Sequence, residues 1–95
     1  MKVKELLSGP EKWTQSVYVR NKDGTPTQLG AAEAFSFCLR GAIYFCYCDA
    51  TGRYWTEDKA HKALNLPPCE SLAEWNDAPE RTFEDVRKLV EELDI

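Results

Sequence analysis

Residues 31–48 read AAEAFSFCLRGAIYFCYC, the longest apolar run of the chain. On a helical wheel advancing about 100° per residue, Glu33, Ser36, Arg40, Tyr44 and Tyr47 gather on one narrow side. Ala34, Phe35, Cys38, Leu39, Gly41, Ala42, Ile43, Phe45 and Cys46 cover the other. So narrow a polar stripe predicts a central helix over about 31–48, enclosed by neighbours around most of its circumference. Strand alternation fits less well: over FSFCLRGAIYF it would put Arg40 on the face of Cys38 and Ala42, and the run exceeds an ordinary strand. Glu33 and Arg40 interrupt it as a membrane span, and no signal-peptide pattern flanks it. Gly41 in a helix interior costs about 1 kcal/mol relative to Ala. The expected compensation is another helix or strand crossing closely at Gly41 and Ala42.

Working outward, Val3, Leu6 and Leu7 have helical spacing, and Ser8-Gly9-Pro10 closes that first helix. Trp13 is expected to anchor in the core. Ser16–Arg20 (SVYVR) is the best strand candidate, Asn21-Lys22-Asp23-Gly24 a turn, and Thr25-Pro26-Thr27 a short return limited by the missing N–H of Pro26. On the other side, Ala50–Tyr54 reads as a loop and Thr56 as the N-cap of a helix burying Ala60, Ala63 and Leu64. A short helix with Leu72 and Trp75 follows, and Asn76-Asp77-Ala78-Pro79 breaks it. Thr82, with Asp85 at the capping-box position, starts a last helix whose stripe is Phe83, Val86, Leu89, Val90 and Leu93. That helix is expected to lie across the central one. The fold class is mainly α with minor β: one small helical domain, 1–95, with a short N-terminal β-hairpin or loop and an amphipathic C-terminal helix.

The charge is unevenly placed. Residues 1–30 carry a net +2, residues 31–48 are neutral and residues 49–95 carry −6, giving the overall −4. This argues against non-specific nucleic-acid binding, which needs a basic surface. Cys38, Cys46, Cys48 and Cys69 follow no disulfide framework and point to a reducing, cytoplasmic setting. On a helix Cys46 and Cys48 point about 160° apart. They cannot share a metal ion there; on an extended segment they would share a face, but Cys-x-Cys alone is a weak zinc signal. Structural thiols are the first reading, a metal site of Cys46 or Cys48 with Cys69 and His61 the minor one, and no metal and no cofactor is expected. Cys38, His61 and Asn76 or Asp77 follow the chain order of papain-like peptidases. That chemistry needs a partly exposed thiolate at a helix N-terminus. The wheel puts Cys38 mid-helix and facing the core, so no catalytic residue is assigned. His61 reads as a solvated surface residue.

Two segments, AFSFCLRGAI at 34–43 and WNDAPERT at 75–82 followed by Val86, resemble the bacterial and phage "domain of unknown function 6197" family, with Glu80 in place of an expected Gly. The resemblance implies a small helical domain, often phage-encoded, and transfers no activity. Trp75-Asn76-Asp77 with Arg81 reads first as an interhelix corner, with Arg81 pairing Asp77. It reads second as a binding corner: Arg40, Tyr44, Tyr47, Asn76, Asp77 and Arg81 are the candidate binding residues. Exposed Tyr18 and Tyr54 add residue types favoured at interface hot spots. The expected function is a small non-enzymatic binding module, a phage accessory or host-interaction protein in the host cytoplasm. Its expected partner is another protein, with no nucleic acid and no membrane. A homo-oligomer, in which a second copy covers excess apolar surface, is a further expectation. The alternative is a small-molecule or nucleotide-binding protein or minor hydrolase with a pocket lined by Trp13, Trp55 and Arg40.

Overall fold

The computed structural model describes residues 1–95. Its elements run α1 (Val3–Leu6), a 3₁₀ turn (Pro10–Lys12), β1 (Val19–Asn21), β2 (Ala34–Phe37), α2 (Leu39–Cys46), α3 (Ala50–Ala63), α4 (Leu72–Asp77) and α5 (Phe83–Leu93). The architecture is mostly helical, with one antiparallel pair of strands, as the sequence predicts. The central run departs from the prediction in one respect: it is two elements. Ala34–Phe37 is a strand, Cys38 is extended (φ −75°, ψ 170°), and the helix begins only at Leu39. Alternating aromatics at Phe35 and Phe37 suit a pleated, half-buried surface better than a helix. The strand pairs Val19 with Phe37 and Arg20 with Ser36, and a bulge then brings Asn21 opposite Ala34. Ser36, on the polar stripe of the wheel, is buried in this ladder.

The expected hairpin-like loop is present, and β1 sits inside it. Asn21 N–H donates to the Thr25 carbonyl at 2.8 Å, Thr27 N–H donates to the Val19 carbonyl at 3.0 Å, and Gly24 turns the chain at φ +93°. That conformation is open to Gly at little cost. The outer edge of β2 is met by Thr14, whose N–H donates to the Phe37 carbonyl at 3.0 Å.

Val3, Leu7, Val19, Phe37, Leu39, Ile43, Val86 and Val90 are essentially inaccessible and form the centre of the core. The two halves of the central run therefore supply it from different periodicities: Phe37 from a strand, Leu39 and Ile43 from a helix. The C-terminal helix starts at Thr82, as predicted. The Thr82 hydroxyl accepts from Asp85 N–H and Asp85 caps the Thr82 N–H at 3.0 Å. It packs on α1 and α3 rather than across α2. The Ala50–Tyr54 "loop" is the first turn and a half of α3. The N-cap is Asp49, whose carboxylate accepts from Gly52 N–H at 2.8 Å, and Thr56 is buried mid-helix with its hydroxyl donating to the Gly52 carbonyl. An Asp followed by small residues is as good a start as Thr followed by acids, and Gly52, a poor helix former, is tolerated in the first turn where its N–H meets the cap.

The two ends of the chain are tied together. Lys4 N–H donates to the Ile95 carbonyl at 3.2 Å, and the Lys2 and Lys4 ammoniums both bind the Asp94 carboxylate. The Lys2 hydrogen bond, then that of Lys4, holds the Asp94 carboxyl down at about 2 from an ordinary 3.8. A carboxyl depressed in the folded state stabilises the fold fully above its unfolded value. It loses that contribution as pH falls through the folded one, here between about 4 and about 2. Asp94→Asn keeps a residue that tolerates the left-handed C-cap (φ 54°). In thermal melts it is expected to lie below wild type near neutral pH and to converge with it at about pH 2. The gap should be small because the pair is exposed. A gap that persists unchanged into acid would assign the effect to the cap rather than the charges.

Candidate functional site

One helix contributes little to the core. α3 buries only Thr56 and Ala60, both small. A second stripe, Ala50, Arg53, Tyr54, Glu57, Asp58 and His61, has helical i, i+3, i+4 spacing and lines an open groove of about 490 Å³. Arg40 and Tyr44 of α2 form its floor, and Pro68 to Leu72, the segment leading into α4, forms the opposite wall. That segment is held to α3 by His61, whose Nε2 lies 2.8 Å from the Glu70 carbonyl oxygen. A carbonyl can only accept, so Nε2 carries a proton and donates it to this contact. His61 is thus a strut of the groove rather than the freely solvated residue expected from its charged helix.

At the floor, Arg40 Nε donates to the Tyr44 hydroxyl at 3.1 Å and lies 3.4 Å from Glu57 Oε2. Burial pushes the Tyr44 phenol up, and the nearby Glu57 carboxylate pushes the same way. Burial opposes the Arg40 charge, but Glu57, then Tyr18 and Tyr44, outweigh it and the guanidinium holds its proton more firmly than usual. Two guanidiniums flank the Tyr44 ring, Arg53 at 4.7 Å and Arg40 at 5.4 Å from its centre, and the Tyr18 ring lies 6.1 Å away. Beside the groove, Tyr54 and Trp55 meet edge to face at 5.6 Å and are each more than 60% exposed (64% and 63%). An exposed aromatic pair of this kind marks an interaction surface more often than scattered single residues do.

Of the six residues singled out from sequence, the groove brings together Arg40 and Tyr44. Tyr47 is the C-cap of α2 and packs against the core. Asn76, Asp77 and Arg81 form the interhelix corner. Asn76 is fully buried, with Oδ1 accepting from Trp13 Nε1 at 2.7 Å and from Leu39 N–H at 3.0 Å, and Nδ2 donating to the Thr14 carbonyl and the Asp77 carboxylate at 3.0 Å. Asp77 accepts from Ser16 N–H at 2.8 Å. Arg81 stacks on Trp75 at 4.1 Å, donates to the Trp75 carbonyl, and pairs with Asp85 at 3.8 Å rather than with Asp77. The three tryptophans are separate: Trp13 is tied to Asn76, Trp75 is buried, and Trp55 is exposed. A pocket combining Trp13, Trp55 and Arg40 is therefore not formed. Sequence reading passed over Arg53, Glu57 and the 68–72 wall. Their signal is the 50-53-54-57-58-61 stripe, which a loop over 50–54 conceals.

Cys38 requires a correction too. It is the N-cap of α2, its Sγ accepting from Gly41 N–H at 3.2 Å, and not a mid-helix residue. A helix N-terminus favours a thiolate, yet here desolvation wins and burial pushes the thiol up. His61 lines the α3 groove, whereas Cys38 lines a different cavity with Ser16, Tyr18 and Asp77, so the peptidase-like order brings no such pair together. Burial likewise raises the Cys46 thiol to about 11. With iodoacetamide near neutral pH, Cys48 and Cys69, both exposed, are expected to alkylate first. Cys38 and Cys46 should lag by about tenfold or more, read by peptide mass spectrometry. Prompt labelling of Cys38 would mean that α2 opens at its N-terminus. No group of three or more His, Cys, Asp or Glu side chains is placed to hold a metal ion, and no helix is long and apolar enough to cross a membrane.

No curated protein and no solved structure matches the chain significantly. The family model of DUF6197, described as a family of unknown function, matches residues 1–93. That match spans both segments that carried the resemblance, the strand-to-helix run through Gly41 and the Trp75–Thr82 corner, together with nearly all of the remaining sequence. The chain belongs to the DUF6197 family.

Proposed function

We propose that this chain is a non-enzymatic binding module that acts by protein–protein contact, taking a partner segment into the groove between α3 and residues 68–72. The observation that supports this best is the composition of α3. Its groove-facing stripe of arginine, tyrosine and acids gives up core burial that apolar residues at those positions could supply. Arg and Tyr are among the residue types that dominate interface energetics, and exposed Tyr54 and Trp55 extend the surface beyond the groove. The four free thiols fit a reducing, cytoplasmic setting, and a host-cell protein bound by a phage-encoded accessory protein is the form of this reading that we put forward.

The test is affinity capture from a bacterial lysate on immobilised chain, compared with Arg40→Ala/Tyr44→Ala and with Tyr54→Ala. A partner held by wild type and lost at least about tenfold by both variants is the expected result. Equal recovery by all three would count against the groove. The groove volume also lies in the range of small-ligand sites, about 300–1,000 Å³. A metabolite that raises the melting temperature of wild type but not of Arg40→Ala/Tyr44→Ala would favour the small-molecule alternative.

A further inference from the structure

We propose that the groove contains a carboxylate-binding subsite centred on the Arg53 guanidinium, into which the partner segment presents an aspartate or glutamate side chain. This rests on the protein-binding reading above and names the chemistry that would be recognised.

The argument begins with what each arginine has to bind. Arg40, Arg81 and Arg87 each lie within 4 Å of a carboxylate. Arg20 has none, but its Nε, Nη1 and Nη2 donate to the Thr14 hydroxyl and to the Gly24 and Gln15 carbonyls. Arg53 has neither. Its Nη2 donates to the Cys48 carbonyl at 2.5 Å, its Nε is buried with no acceptor, and no carboxylate pairs with it. A guanidinium offers five N–H donors in a fixed fork. Arg53 is the one of the five with neither a carboxylate within 4 Å nor a second acceptor, and, with Nε closed to solvent, Nη1 and the second Nη2 N–H are the donors left for a partner. The Tyr44 ring face offsets part of the charge, and it also holds the guanidinium plane in place at the groove floor.

The surrounding charges decide what this cation can take. Three acids line the groove: Glu57, Asp58 and Glu70. Glu57 is paired with Arg40 at 3.4 Å, and Asp58 with Lys62 at 3.0 Å. Glu70 stands on the opposite wall, across from α3. Arg53 is therefore the one arginine of the lining with no carboxylate within 4 Å, and Glu70 the one acid of the lining with no cation there. A phosphate group brings roughly −1.5 to −2 charge and would leave excess negative charge beside Glu57. A single carboxylate brings −1 and matches the fork bidentately. Tyr54 at the rim gives the residues flanking that carboxylate an aromatic surface.

The experiment uses ¹⁵N-labelled full-length chain and three defined probes: random poly(Glu,Tyr), random poly(Lys,Tyr) and inorganic phosphate. Wild type is compared with Arg53→Gln and with Lys59→Gln, which removes the same unit of charge from the same helix outside the groove. The expected result is that poly(Glu,Tyr) shifts the Arg53 Nε–H signal and the amides of residues 53–58 and 69–72. Affinity should fall at least about tenfold in Arg53→Gln and less than about twofold in Lys59→Gln. Equal losses in the two variants would reduce the effect to general electrostatics and overturn the subsite. A stronger response of Arg53 to phosphate than to the copolymer would overturn the carboxylate assignment. If poly(Lys,Tyr) moves the groove signals instead, the carboxylate subsite falls while the binding-groove reading stands. If no probe moves them, the subsite falls, and affinity capture with Tyr54→Ala decides the groove reading separately.

Discussion

Replacing Asn76 with Ala is expected to destabilise the chain by about 3–5 kcal/mol, the cost of breaking a buried hydrogen-bond network. Its inaccessible amide makes four bonds at once: to the Trp13 indole, the Leu39 N–H, the Thr14 carbonyl and the Asp77 carboxylate. Three of those partners lie more than 30 residues away in sequence. The truncation leaves the indole N–H, the Leu39 N–H and the Thr14 carbonyl without partners in a site too closed for water to replace them freely. The Leu39 N–H is one of the orphan donors of α2's first turn, so the loss also loosens the strand-to-helix junction. Asn76→Asp separates shape from hydrogen bonding: it keeps both acceptor bonds but puts a charge beside Asp77 and gives up both donations. It should therefore recover little of the loss. A denaturant midpoint for Asn76→Ala within about 1 kcal/mol of wild type would contradict this, since that is the range of an ordinary surface substitution.

The same residue shows how far the sequence could be read. The segment Trp75–Thr82 was recognisable as a corner because Asn, Asp and Pro have local backbone reasons to sit at turns. What the corner holds was not legible, because its partners Trp13, Thr14 and Leu39 are brought to Asn76 only by the tertiary fold. The C-terminal helix was fully legible, cap included, since Thr82, Asp85 and the apolar stripe are all local signals. The central run was legible as core and misread in form. A wheel assumes one period throughout, and this run changes from two-residue to 3.6-residue periodicity at Cys38 without a conventional capping residue to mark the junction. The groove was half legible. Arg40 and Tyr44 stood out as the polar positions of an apolar helix, whereas Arg53 and Glu57 sit on a helix with no strong apolar face, where periodicity gives no direction.

Gly41→Ala is expected to destabilise by about 2–4 kcal/mol, although alanine is the better helix former by about 1 kcal/mol. The close approach anticipated for Gly41 is real, and the crossing element is the chain entering β1. A Cβ at position 41 would sit closer than 3.0 Å to the Tyr18 carbonyl oxygen and 3.1 Å from its carbon. The obstacle is backbone, so no side-chain rotation relieves it. The Tyr18 carbonyl is also fixed in place, because it accepts the Cys38 N–H at 3.0 Å, and Val19, the next residue, is completely buried. Moving the carbonyl by the few tenths of an ångström an alanine needs would stretch the bond that locks the N-cap of α2 and shift the first pair of the β1–β2 ladder. Interiors packed to crystal density accommodate such shifts poorly, so the steric cost exceeds the propensity gain. The cost should appear locally as well as globally. Amide exchange at Cys38 should quicken more than at Val90, because the strained contact sits at the α2 N-terminus while α5 packs elsewhere. Gly52→Ala is the matched comparison: there a Cβ meets only the Asp49 side chain, at 3.0 Å or more. With no backbone in the way, that substitution should be near neutral or slightly stabilising. If Gly41→Ala were as stable as Gly52→Ala in the same denaturant series, the passage of β1 across α2 would have to be looser than this packing.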